Sequence, residues 1–135
     1  MNPREFSNHE MIEKARTVLK PRKLSLGAAG GVACALLSAS GRIYLGVCID
    51  VGSGIGFCAE HSAIAAMITA GETSILKIVA VWDRNTVLPP CGRCRELIYE
   101  INETNLTTTD VILGENSVVK LKDLLPHPYD EVWKQ

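Results

Sequence analysis

Aromatic residues and net charge are both scarce in this 135-residue sequence. Phe, Trp and Tyr together make up 5% of the chain, so its core must be built from Ala, Val, Ile and Leu. The formal net charge is −1, whereas proteins that bind nucleic acids usually have a basic face or a high pI. We therefore expect no nucleic-acid partner.

The sequence also lacks long apolar runs. No run is long enough to span a bilayer, and the first residues, MNPREFSNHE, contain no apolar segment with a small-residue cleavage site. We therefore expect no membrane partner, no signal peptide and a cytoplasmic location. In that compartment the five cysteines are expected to be thiols or metal ligands rather than a disulfide framework.

The pattern of apolar residues predicts one domain, spanning residues 1–135, with alternating strands and helices. Apolar residues make up 47% of the chain, which is enough for a core at this size. The predicted elements are a helix at 7–20, a loop at 24–31, hairpin strands at 32–39 and 42–49, a glycine-rich loop at 50–56, a helix at 58–70, a strand at 74–82, a helix at 91–102, short strands at 110–114 and 117–120, and a helical turn at 122–126. This order indicates a mixed sheet with helices on its faces, an α/β layered fold.

Three of the cysteines stand where two of these helices begin. Cys58 starts one helix, with Glu60 two residues later, and Cys91 and Cys94 form a C-x-x-C at the start of the other. At a helix N-terminus, unpaired N–H groups and the helix dipole stabilise a thiolate. Three thiolates with an open fourth position are the ligand set of a catalytic zinc, whereas a structural zinc is closed by a fourth protein ligand. Glu60 would then lie within reach of a metal-bound water.

The spacing of these residues resembles the zinc-dependent cytidine deaminases. Cys58-Ala-Glu60 matches C-A-E, and Pro90-Cys91-Gly-Arg-Cys94 matches P-C-x-x-C. The three-cysteine form is similar to the small homotetrameric branch, and CGRCRELI and the final LLP…Y…W resemble blasticidin-S deaminase in places. The resemblance implies a three-layer α-β-α domain with a mixed sheet of about five strands. It also implies one zinc ion per chain and a homotetramer, with a homodimer as the alternative.

The resemblance further implies a reaction and the residues that support it. A water activated by zinc would attack C4 of a cytosine-type nucleoside, and Glu60 would carry protons to ring N3 and to the leaving amine. The products are the uracil-type compound and ammonia. The positions that match family residues contacting the substrate are Cys48, Asp50, Ala59, Pro89 and Tyr129.

Two further residues match positions that support the zinc ligands in the family. Three thiolates and Zn²⁺ sum to −1, and donors to the sulfurs restore the Lewis acidity of the metal. Arg95 matches a family arginine with this role. His61 stands where relatives carry a second arginine, and its charge near neutral pH depends on its surroundings.

The sugar side of the site departs from the family pattern. Relatives that act on plain cytidine carry Asn-x-Glu after the second hairpin strand, and the corresponding pair here is Cys48 and Asp50. They also carry an aromatic residue before the first hairpin strand, where this chain has none between Phe6 and Tyr44. The reaction type is therefore predicted, and the substrate is left open between cytidine, deoxycytidine, blasticidin S and another amino-heterocycle.

Three hypotheses from other classes fit part of the pattern. A non-catalytic zinc module would use the same cysteines for folding or partner binding, but it would have no need of Glu60. A polynucleotide-editing deaminase needs a basic, aromatic-lined channel, which the net charge of −1 disfavours. A redox dithiol at Cys91 and Cys94 would leave Cys58 and Glu60 unexplained.

Overall fold

The computed structural model describes residues 5–83 and 86–133. This part of the chain contains seven strands and five helices. The strands are β1 (Arg22–Leu24), β2 (Gly27–Ser38), β3 (Ile43–Val51), β4 (Ile75–Trp82), β5 (Thr86–Leu88), β6 (Asp110–Gly114) and β7 (Ser117–Lys120). The helices are α1 (Asn8–Arg16), α2 (Ala59–Thr69), α3 (Gly92–Ile101), α4 (Asn105–Thr108) and α5 (Leu121–Leu124).

All seven strands belong to one mixed sheet. Its main path runs β1-β2-β4-β6-β7, with β3 paired to β2 and β5 paired to β4. The β4–β6 pair is parallel and the other pairs are antiparallel. The predicted α/β fold with a mixed sheet is therefore confirmed, with seven strands in place of about five. Among the described helices, none is long and apolar enough to cross a membrane.

The sheet is covered by helices on both faces. Successive side chains of a strand point to opposite faces, and residues 33–37 of β2 follow this rule. Cys34 and Leu36 pack in the cluster that includes residues of α2 and α3, whereas Ala33, Ala35 and Leu37 pack in the cluster that includes residues of α1. The result is the three-layer α-β-α arrangement that the resemblance implied.

The predicted loop at residues 24–31 is wrong. Leu24 ends β1 and Gly27 begins β2, and these two residues pair directly. A Cβ atom on Gly27 would lie 2.2 Å from the carbonyl oxygen of Asp50 in β3. Gly27 is therefore a site where two strands approach closely. Because glycine is rare in strand interiors, its presence in the sequence was taken to indicate a loop.

Besides β1, two further short elements were not predicted, and one helix is shorter than predicted. The strand β5 and the one-turn helix α4 carry too few residues for a periodic signal. The helix α1 ends at Arg16 with Thr17 as its C-cap, instead of continuing to residue 20. The position of α4 depends on tertiary hydrogen bonds made by its first residue.

That residue, Asn105, joins α4 to β4 and α3. Its side chain is fully buried; Oδ1 accepts from Ile75 N–H at 3.0 Å, and Nδ2 donates to the carbonyls of Thr73 and Ile98 at 3.0 and 2.9 Å. We predict that Asn105→Ala lowers the free energy of unfolding by about 3 kcal/mol, because each buried polar group left unpaired costs roughly 1–3 kcal/mol. Denaturant unfolding measures the loss, with exposed Thr107→Ala as control. A loss below about 1 kcal/mol would contradict the prediction.

Candidate active site

The sulfur atoms of three cysteines lie close together where α2 and α3 begin. Cys58 is the N-cap of α2, Cys91 is the N-cap of α3, and Cys94 lies in the first turn of α3. The three Sγ atoms all lie within 4.8 Å of one another, with 3.4 Å between Cys58 and Cys91 and 3.5 Å between Cys91 and Cys94. Two ligands of a tetrahedral zinc with Zn–S bonds of about 2.3 Å lie about 3.8 Å apart. The cluster therefore fits three ligands of one zinc ion.

The pKa values of the three thiols differ because their surroundings differ. Burial raises the pKa of Cys94 far above its usual range, and the nearby Glu60 adds to the effect. Burial also raises the pKa of Cys58. Burial opposes ionisation of Cys91 too, but backbone N–H groups of Cys94 and Arg93 help to lower its pKa below the usual value. Three thiols this close cannot all ionise without a cation among them, and thiolate sulfurs are among the usual ligands of zinc.

Glu60 is a buried acid beside this cluster. It is 4% exposed, and burial raises the pKa of its carboxyl, opposed by its own backbone N–H and by Cys94. Within the described ranges, no salt bridge joins it to a basic side chain. A buried carboxyl with a raised pKa in a cleft is typical of groups that transfer protons near neutral pH.

A cavity of about 790 Å³ opens beside Cys58, Glu60 and Cys91. Its volume lies within the range of about 300–1,000 Å³ that is usual for small-molecule sites. Four of the predicted substrate-contacting residues line it: Cys48, Asp50, Ala59 and Pro89. The structure therefore brings the sulfur cluster, the buried acid and these four residues to one cavity.

Tyr129, the fifth predicted substrate residue, is not among the described residues that line this cavity. Its side chain is 69% exposed, and its ring packs edge-on against Trp133 with 4.9 Å between ring centroids. Its backbone N–H donates to Oε1 of Glu96 at 2.7 Å, which ties this part of the chain to α3. A contact between Tyr129 and substrate remains a prediction.

The two residues predicted to support the zinc ligands lie beside the cluster. The Arg95 guanidinium donates to the carbonyls of Pro90 at 2.7 Å and Leu124 at 3.2 Å, so it ties the turn before α3 to α5. Nδ1 of His61 lies 3.6 Å from Sγ of Cys94. Burial, with a smaller contribution from a nearby arginine, lowers the pKa of His61 and favours its neutral form. Donation from either side chain to a zinc-bound sulfur remains a prediction.

One residue that positions the site was missed by the sequence analysis. Gly46 lies in β3 directly beneath α2, and a Cβ atom there would stand 2.3 Å from the backbone nitrogen of Ala63. At the same point, the Ser62 hydroxyl donates to the carbonyl of Val47 at 2.6 Å. The signal was a lone glycine inside an apolar strand, which often marks a close backbone approach. This contact sets the height of α2, and with it Cys58 and Glu60, above the sheet.

Comparison with known proteins agrees with this geometry. No family model matches the chain. The chain is 30% identical over 99 residues to the cytidine deaminase of Mycobacterium tuberculosis (strain ATCC 25618 / H37Rv), covering 73% of this chain and 71% of that protein. It is 31% identical over 100 residues to the cytidine deaminase of Halalkalibacterium halodurans, covering 70% and 74%.

Solved structures give the same result. The crystal structure of cytidine deaminase from Mycobacterium leprae superposes with a TM-score of 0.75 at 25% identity, covering 91% of this chain and 100% of that one. That of cytidine deaminase from Burkholderia pseudomallei gives 0.73 at 25% identity, covering 92% and 100%. The chain belongs to the cytidine deaminase family.

Proposed function

We propose that this protein is a zinc-dependent hydrolytic deaminase that converts a cytosine-type nucleoside to the uracil-type product and ammonia. The observation that carries the proposal is the meeting of three cysteine sulfurs and one buried carboxyl at the wall of a single cavity. Membership of the cytidine deaminase family supports the same reaction.

Zinc would be held by Cys58, Cys91 and Cys94, leaving one coordination position open. A zinc ion held in this way supplies Lewis acidity, which makes a water molecule acidic enough to act as a nucleophile near neutral pH. The net reaction adds one water across C4 of the ring and releases one ammonia.

Glu60 carries the protons in this proposal. Its carboxylate would take one proton from the attacking water and pass it to ring N3. It would later move the second proton, from the hydroxyl group added at C4, to the leaving amine, so that ammonia leaves as the C4 carbonyl forms. One carboxyl serves all three transfers because its burial keeps bulk water from exchanging the proton.

The remaining walls of the cavity would orient the ring and its sugar. The backbone N–H of Ala59 and the carbonyl of Pro89 offer one donor and one acceptor on the metal side of the cavity. Cys48 and Asp50 line the cavity as well and are assigned to the sugar.

We also propose that the protein assembles as a homotetramer. Tyr129, Val132 and Trp133 expose 69%, 75% and 58% of their surface in the single chain. Ala65 and Ile68 of α2 are exposed as well. Exposed apolar residues that form a contiguous patch are typical of protein–protein interfaces. The assembly would also bring Tyr129 of one chain to the cavity of another.

The test of the proposed function is an ammonia-release assay on cytidine, deoxycytidine, cytosine and blasticidin S, with zinc content measured on the same sample. We expect about one zinc per chain and turnover of at least one nucleoside. Full zinc occupancy with no turnover would instead support the non-catalytic zinc module.

Replacing a zinc ligand should release the metal. We predict that Cys94→Ser lowers zinc content to less than about a tenth of the wild-type value and lowers the melting temperature, because metal binding contributes directly to folding free energy. Metal analysis and thermal unfolding measure both effects. Cys34→Ala is the control, because Cys34 is a buried cysteine outside the sulfur cluster. Equal zinc contents in the two variants would rule out Cys94 as a ligand.

A further inference from the structure

The strand pair β2–β3 is irregular where it borders the cavity. The register shifts between Ala29 and Ala33, so residues 30–32 of β2 stand opposite Cys48 alone. In place of a regular strand-to-strand bond, the backbone N–H of Val32 donates to Sγ of Cys48 at 3.3 Å. Bulges of this kind re-aim side chains and are frequent beside functional sites.

The same thiol also holds a carboxylate. Sγ of Cys48 donates to Oδ2 of Asp50 at 3.3 Å, and Cys48 is only 5% exposed. The thiol therefore accepts from one protein group and donates to another, which uses its hydrogen-bonding capacity. Asp50 itself is exposed at the cavity wall, and the described residues supply no second hydrogen bond to its side chain.

The charges around the cavity are mostly negative. Among the described residues that line it, the charged side chains are the carboxylates of Asp50 and Glu60 and the guanidinium of Arg93. No salt bridge of the described residues involves Asp50. A bound cation would therefore gain more from this wall than a neutral hydroxyl group would.

The other residues around Asp50 also favour binding of a cation. The neighbouring wall is formed by Ile49, Val51 and glycines, which offer no competing side-chain donors. A cavity of about 790 Å³ also has room for a sugar substituent beside the ring.

We propose that Asp50, held by the Cys48 thiol, is a specificity residue that selects cytosine-type nucleosides whose sugar carries an ammonium group. This inference rests on the proposed function and names its substrate class. A hydroxyl and an ammonium would each donate a charge-assisted hydrogen bond to the Asp50 carboxylate, and the ammonium adds the attraction of a full positive charge. We therefore expect a preference of about tenfold for the ammonium over a hydroxyl.

The test measures binding in the Glu60→Gln background, where turnover does not interfere. Isothermal titration compares cytidine with 3′-amino-3′-deoxycytidine, 5′-amino-5′-deoxycytidine and cytidine 5′-monophosphate. We expect at least one amino nucleoside to bind about tenfold more tightly than cytidine at low salt, and the phosphate to bind less tightly. The preference should shrink as salt is raised.

Adding Asp50→Asn should bring the ratio of amino nucleoside to cytidine affinity to about one, since the amide carries no charge. Equal binding of cytidine and both amino nucleosides would overturn the proposal. So would a preference that survives Asp50→Asn, or tighter binding of the phosphate.

The role of Cys48 is tested by two replacements in the same background. Cys48→Ser retains a group that can accept from Val32 N–H and donate to Asp50, whereas Cys48→Ala retains neither. We expect the serine variant to keep the preference within about twofold and the alanine variant to lose most of it. A purely structural role would weaken both ligands equally and leave the ratio unchanged, which would overturn the positioning role.

Failure of this inference differs from failure of the proposed function. Release of ammonia from cytidine with no amine preference in binding overturns only the specificity of Asp50. A tenfold binding preference without ammonia release from any nucleoside overturns the deaminase function and still supports Asp50 as the amine-binding group.

Discussion

The Glu60→Gln variant is expected to keep its zinc and to lose about 10³-fold or more of its kcat. Glutamine preserves the size of the side chain but cannot take up a proton, and positioned acid–base groups typically contribute 10²–10⁴-fold. The effect should lie near the upper end because the proposed mechanism assigns three proton transfers to this one carboxyl. Steady-state ammonia release and metal analysis on the same preparation provide the measurement.

A matched control lies beyond the other end of the same helix. Glu72 follows α2 and accepts hydrogen bonds from Ser38 at 3.0 Å and Tyr44 at 2.7 Å, away from the sulfur cluster. Glu72→Gln should therefore leave kcat within about twofold, because it touches no group in the proposed reaction. If Glu60→Gln loses less than about tenfold, Glu60 is not the proton carrier. If it also loses its zinc, its effect on rate cannot be assigned to proton transfer.

The metal-binding half of the site could be predicted because short sequence motifs define it. Cys58, Cys91 and Cys94 stand at helix starts that the sequence marks with a glycine-rich loop and a Pro-Pro pair. A helix start fixes the direction of its first side chains, so two such starts on neighbouring helices can be expected to converge. The structure brings the three sulfurs within 4.8 Å.

The sugar half of the site was not predictable in the same way. The thiol of Cys48 reaches both Val32 and Asp50 only because the strand register shifts opposite it. Such a shift depends on how two distant segments pair, and no short pattern encodes it. The two glycines at positions 30 and 31 were the only residues that could have indicated this irregularity, and they were assigned to a loop.

The same distinction applies to the fold. Long amphipathic or apolar segments gave α1, α2, α3 and β4 from the sequence, because burial of one face imposes a period. The end of β1 at Leu24 and the start of β2 were assigned to a loop because the segment 24–31 is rich in glycine, whereas in the structure Gly27 meets the backbone of a neighbouring strand. A glycine in a sequence can indicate either a turn or a close contact between backbones, and the residue itself does not distinguish the two.

Gly46 gives the clearest case of a close contact that controls function. It lies in β3, and α2 crosses it so tightly that an added Cβ would meet Ala63 nitrogen at 2.3 Å and Ala59 oxygen at 2.7 Å. Both are backbone atoms, so relief requires the whole helix to move. Moving α2 moves Cys58 and Glu60 relative to α3, which carries the other two sulfurs.

We therefore predict that Gly46→Ala lowers the free energy of unfolding by about 3 kcal/mol, the upper part of the usual range for overpacking. Zinc content and kcat should fall with it, because displacement of α2 separates Cys58 from the other two sulfurs. Gly46 is not among the glycines with a left-handed φ, so alanine suits its backbone and the loss can be assigned to steric conflict alone.

Gly31→Ala in the adjacent strand separates this effect from the general cost of changing a strand glycine. Gly31 also lacks a left-handed φ, and an added Cβ there meets no heavy atom within 4 Å. Its free energy of unfolding should therefore stay within about 0.5 kcal/mol of the wild-type value. If Gly46→Ala and Gly31→Ala lower the free energy of unfolding equally, the contact between β3 and α2 adjusts to an added Cβ at little cost. The height of α2 above the sheet would then have to be fixed by other contacts, and Gly46 would have no special part in bringing Cys58 to the other two sulfurs.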